Sequence, residues 1–133
     1  MFIMKIYFAA AVCIWVGMSA EGYEELRHKY IKAAGKCSPA SNFYYASSKD
    51  YVQKLLKGGL NAQSFSECIF RELGQLGQNE EILYDEVKNE PFPFDPSNAV
   101  CNLVDICQDE KGSTTKETAW KFQKCLLEKS RKW

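Results

Sequence analysis

The stretch CQDEKGSTTKETAWKFQKCLLEK opens on Cys107 and carries Cys125 near its end, and what these two do decides what this chain can fold into. Two cysteines at this separation can be metal ligands, catalytic thiols or the halves of a covalent clasp. The compartment selects among these, and the N-terminus speaks to the compartment. Lys5 precedes the apolar run IYFAAAVCIWVGM, which leads into small residues at Ser19 and Ala20. A charged start, an apolar core and a small-residue end are the parts of a signal peptide. The apolar core is too short for a comfortable bilayer span. The expected boundary is therefore a signal peptide over 1–20 and one domain over 21–133, with a cut after Gly22 as the alternative.

Removal of residues 1–20 takes away Lys5 and Cys13. It leaves one more acid than base and the five cysteines Cys37, Cys68, Cys101, Cys107 and Cys125. In an exported chain of this size disulfides are the default reading. Zinc usually takes close pairs such as C-x-x-C, often with histidine. The chain has no such pair and one histidine, His28, so no metal is expected. No basic block points to nucleic acid, and no Asn-x-Ser/Thr points to N-glycosylation. A single small domain with a modest core fits the length.

The apolar spacing is helical throughout, and no segment alternates with strand period. Tyr23, Leu26, Tyr30, Ile31 and Ala34 share one face of a first helix over 22–35. CSPASNFYYASS follows as a turn-rich connection. Ser47 and Asp50 resemble a capping box for a second helix carrying Tyr51, Val52, Leu55 and Leu56, which KGG ends. Asn61 is placed to cap a third helix with Phe65, Cys68, Ile69, Leu73 and Leu76. Asn79 is placed to cap a fourth with Ile82, Leu83 and Val87. The acids around that fourth helix (Glu80, Glu81, Asp85, Glu86) read as a solvated face rather than an acid–base pair. Asp95 then Pro96 is a helix start for a fifth helix with Val100, Leu103, Val104 and Cys107. Thr114 and Glu117 form a capping box for a sixth that turns Ala119, Phe122, Cys125 and Leu126 inward. The opening stretch is thus a helical hairpin with a cysteine on each arm, and a disulfide can join them.

GSTTKETAWKFQKCLLE resembles the C-terminal helix of insect odorant-binding proteins of the pheromone/general-odorant-binding family. NLVDICQDEKGS resembles the helix and turn before it, and LGQNEEILYDEV the turn into the fourth helix. The similarity covers almost all of 21–133. It implies an all-α, six-helix, disulfide-stapled fold around an internal apolar cavity. The family's first, third, fourth and sixth cysteines fall on Cys37, Cys68, Cys107 and Cys125. Ser64 and Lys116 stand where the second and fifth are found, a minus-cysteine pattern. This implies the bridges Cys37–Cys68 and Cys107–Cys125 and leaves Cys101 as a free-thiol candidate.

The resemblance implies a secreted carrier of small apolar molecules (odorants, pheromones or similar compounds), with Phe70, Leu73, Ile82, Val104, Trp120 and Leu126 as ligand-contact candidates. Tyr30 and Tyr84 are polar groups able to orient a ligand. The expected partners are a small apolar ligand and a chemosensory receptor, with no nucleic acid, no stable membrane insertion and no cofactor. The expected state is a monomer or weak homodimer. A salivary-type scavenger of amines and a non-carrier interaction domain are the alternatives. No nucleophile elbow or phosphate loop is present, so no enzyme is expected.

Overall fold

In the computed structural model the described residues are 20–89 and 100–130, and the side chains of 20–23, 26 and 100–102 are outside the description. Six helices occupy these residues: α1 Ala20–Ser41, α2 Ser48–Lys57, α3 Leu60–Glu72, α4 Tyr84–Asn89, α5 Val100–Cys107 and α6 Thr115–Ser130. An isolated antiparallel bridge between Leu76 and Ile82 is the one strand-like contact among the described residues. The expected Asp95–Pro96 helix start lies outside them.

α1 runs six residues past the expected end, through Cys37 and Pro39. The sequence cue of Ser and Pro misleads because the last turn is held from outside. Cys37 is fully buried and bridged to Cys68 on α3. The helix then stops on Asn42, which takes a left-handed φ of 52°. The amide of Asn42 donates to the Pro39 carbonyl at 3.4 Å and that of Phe43 to the Ser38 carbonyl at 3.1 Å. This pair of bonds is a Schellman C-cap, with asparagine in the place usually held by glycine.

α2 begins as expected on Ser47, whose Oγ accepts from the Asp50 amide at 3.1 Å. The Asp50 carboxylate reaches one residue further back, to the Ala46 amide at 2.8 Å. α6 starts the same way: Thr114 Oγ1 accepts from the Glu117 amide at 3.1 Å, while Glu117 accepts from Ser113 Oγ at 3.3 Å. Both caps are therefore one-residue variants of the reciprocal box. Asn61, by contrast, does not cap α3. That helix starts at Leu60 behind Gly59, and no side chain bonds its first turn.

α3 ends in a second Schellman cap around Gly74, with the Gln75 amide donating to the Phe70 carbonyl at 2.7 Å. The chain does not re-enter a helix at Asn79. The Gly77 amide bonds the Glu81 carbonyl at 2.8 Å and the Leu83 amide bonds the Gln75 carbonyl at 2.8 Å. These loop bonds satisfy the backbone of 75–83, so α4 is deferred to Tyr84. Arg71 on α3 grips Glu80 of the loop at 3.0 Å.

α3 and α6 pack against each other at the centre, α1 covers α3, α2 and α5 flank α6, and α4 rests on α5. Two apolar clusters result. The first joins α1, α2 and α3 around Cys37, Tyr51, Leu55, Phe65 and Ile69, with Leu127 from α6. Phe43, Tyr45, Tyr51 and Phe65 form an aromatic nest here, with Phe43 and Phe65 centroids 4.6 Å apart. The second joins α3, α4, α5 and α6 around Phe70, Val104, Cys107, Phe122 and Leu126. The Cys107–Cys125 bridge lies inside it. α6 serves both clusters because Leu126 and Leu127, neighbours in sequence, point to different sides of one helix.

Candidate functional site

Three polar side chains meet in this apolar interior. Tyr30 comes from α1, Tyr51 from α2 and Gln123 from α6. The two phenol oxygens are 2.6 Å apart. Gln123 Nε2 donates to Tyr30 Oη at 2.9 Å and to Tyr51 Oη at 2.8 Å. Tyr51 and Gln123 are each 1 % exposed and Tyr30 9 %. The amide oxygen Gln123 Oε1 is buried and has no hydrogen-bond partner. Ser66 Oγ, on the facing α3, is buried and unpartnered as well.

Local sequence explains the placement. Tyr30 lies one turn before Ala33 and Ala34 on the inward face of α1, and Tyr51 opens the inward stripe of α2. Gln123 falls between Ala119, Phe122, Leu126 and Leu127, all buried, so helical period drives a polar residue inward. Burial is the main cause that raises both phenols, well above the ordinary tyrosine range. They are neutral hydrogen-bonding groups at any physiological pH. No charged side chain is buried among the described residues.

A pH consequence follows. Each phenol is held higher in the fold than in the unfolded chain, so its contribution is complete below the ordinary phenol pKa of about 10 and is lost as pH rises above it. The unfolding free energy from urea titration should be level to about pH 9 and then fall, by about 1.4 kcal/mol per pH unit for each phenol kept neutral. Tyr51→Phe should shallow that fall; an alkaline limb identical in the variant would contradict the buried pair.

The ligand-contact candidates divide between the two clusters. Phe70, Ile82, Val104 and Leu126 come together in the second. Leu73 and Trp120 pack at the margin of the first. The indole of Trp120 also serves the fold, since its N–H donates to the Leu55 carbonyl at 2.8 Å and closes the C-terminal end of α2. Tyr84 is partly buried at the margin of the second cluster. Its ring meets Phe122 edge-on at 5.1 Å and its hydroxyl takes a bond from Lys111 Nζ at 2.8 Å. Of the two tyrosines singled out as ligand-orienting groups, only Tyr30 faces the interior triad. The apolar spacing marks Tyr51 only as part of a stripe and gives Gln123 no role. A signal for Gln123 is nonetheless present in the sequence, as a lone amide at an inward position.

Cys37–Cys68 and Cys107–Cys125 are the disulfides among the described residues. Cys101 belongs to α5, with its side chain outside the description. Clefts among the described residues include two at the surface. One, of about 570 Å³, is bordered by Lys29, Lys32, Lys36 and Glu72. The other, of about 460 Å³, is bordered by Ile82, Tyr84, Asp85, Glu86 and Gln108. Among the described residues no group of histidines, cysteines and acids could hold a metal, and no helix is long and apolar enough to cross a membrane.

The model of the PBP/GOBP family matches residues 19–129. The chain belongs to the PBP/GOBP family. PBP/GOBP proteins are binding proteins that carry small molecules, and the all-helical, twice-bridged architecture agrees with that fold. One detail of the sequence reading is corrected: the chain has six cysteines in all, so the description as a minus-cysteine type does not stand. No curated protein and no solved structure matches the chain.

Proposed function

We propose that this PBP/GOBP chain is a secreted carrier of small, neutral, apolar molecules held in its interior. The observation that carries the reading is the family match over 19–129. The setting supports it. The interior is apolar and rich in aromatic rings, with a few fixed polar groups, the usual composition of a small-molecule site. Phe70, Ile82, Val104 and Leu126 are proposed as one apolar wall, with Leu73 and Trp120 on the other side of α6. Secretion rests on the signal peptide read over 1–20 and on two disulfides, which persist in oxidising compartments. Cys101 is proposed as a free thiol and a chemosensory receptor as the downstream partner.

The absence of any buried charge among the described residues disfavours the amine-scavenger alternative. A cationic ligand taken out of water needs a carboxylate beside it. Native mass spectrometry of the chain purified from its own tissue decides between them. A neutral apolar adduct is the expected result; a bound amine would favour the scavenger.

A further inference from the structure

We propose that the ligand is anchored by a hydrogen-bond donor, an alcohol hydroxyl, delivered to the Oε1 atom of Gln123 beside the Tyr30–Tyr51 pair. This deepens the carrier reading and rests on it. Three heavy-atom contacts close the triad: phenol to phenol, and the Gln123 nitrogen to each phenol. The amide nitrogen supplies two hydrogens and one phenol supplies the third, so every contact carries one. With the amide turned over, three oxygens would meet with only the two phenol hydrogens to share, and one contact would be bare repulsion. The triad therefore fixes the amide with its nitrogen toward the tyrosines.

That orientation spends both amide hydrogens and leaves Oε1 as a buried acceptor with nothing to accept. A buried, unfilled carbonyl is a standing penalty, and a group that fills it regains that penalty as affinity. Only a donor can do so. Esters, ethers and aldehydes bring further acceptors to an acceptor. An ammonium is a donor, but no charged side chain is buried among the described residues to balance it. A neutral alcohol on an apolar chain satisfies the site without that cost. The triad is buried, with Tyr30 9 % exposed and Tyr51 and Gln123 1 % each.

The test uses the full-length chain expressed through a secretory host, with the apolar fluorophore N-phenylnaphthylamine as probe. Decanol and its methyl ether are paired competitors that differ in the donor and in one methyl group. The ratio of their displacing concentrations is compared between the unmodified chain and Gln123→Met, so that differences in hydrophobicity cancel. The alcohol preference should fall by about fivefold in the variant, the worth of one hydrogen bond. An unchanged ratio with the probe still bound overturns the anchor and leaves the carrier reading intact. No probe binding to the unmodified chain overturns the carrier reading, and the anchor with it. Should Gln123→Met fail to fold, the side-chain amide resonances of Gln123 in the unmodified chain give the answer. Decanol should shift them and the ether should not. Equal shifts, or a long-lived water that stays beside the amide at saturating decanol, overturn the proposal.

Discussion

Conversion of Cys37, Cys68, Cys107 and Cys125 together to serine should leave the chain largely unfolded at room temperature. The Cys37–Cys68 bridge spans 31 residues and Cys107–Cys125 spans 18. On chain-entropy grounds loops of these sizes are worth about 4 and about 3 kcal/mol. Their sum, about 7 kcal/mol, is comparable with the whole stability of a small domain. The bridges also sit where helices would otherwise fray. Cys37 holds the last turns of α1 on α3, and Cys107, the final residue of α5, is tied to the middle of α6. Circular dichroism and urea titration give the measurement. Loss of the cooperative transition is expected in the fourfold variant, and the Cys37–Cys68 pair should cost more than the Cys107–Cys125 pair. A fourfold variant that still melts cooperatively within about 2 kcal/mol of the unmodified chain would show that the two clusters suffice without the bridges.

Gly58→Ala should lower stability by about 2–4 kcal/mol, from two causes that act at one atom. Gly58 closes α2 at φ 83° and ψ −155°, a region reserved in practice for glycine. A methyl group there would also come within 2.6 Å of the Trp120 ring. Relief requires the indole to move, and its movement breaks the N–H bond to the Leu55 carbonyl. Trp120→Phe in the Gly58→Ala background separates the causes. If the two costs add independently in a double-mutant cycle, the steric half of the explanation is wrong.

Helix number and order were legible from spacing because apolar residues on a 3.6-residue period leave few other solutions. What misled was a distant contact at Pro39 and local geometry at the two asparagines. Pro39 suggested an early stop, but the bridge to Cys68 holds that turn in place. Asn79 offered a cap, but bonds from Gln75, Gly77 and Glu81 had already satisfied the loop. Asn61 offered another, one residue inside the helix it was meant to start. In the interior around the candidate site the burial of the apolar side chains was legible, since Phe70, Val104 and Leu126 lie on inward faces, while their contact with a ligand stays a proposal. The polar half of the site was not legible. Pattern reading treats an inward amide as noise, and only the structure shows that Gln123 meets two phenols from helices α1 and α2, 93 and 72 residues away.

The carrier reading requires an interior that accepts a small apolar guest. Titration of the secreted chain with N-phenylnaphthylamine measures this directly. Saturable binding of about one probe per chain is expected, with a blue shift of its emission as it leaves water and full release on addition of decanol. A linear, unsaturable rise, or no change in emission at any probe concentration, would contradict it.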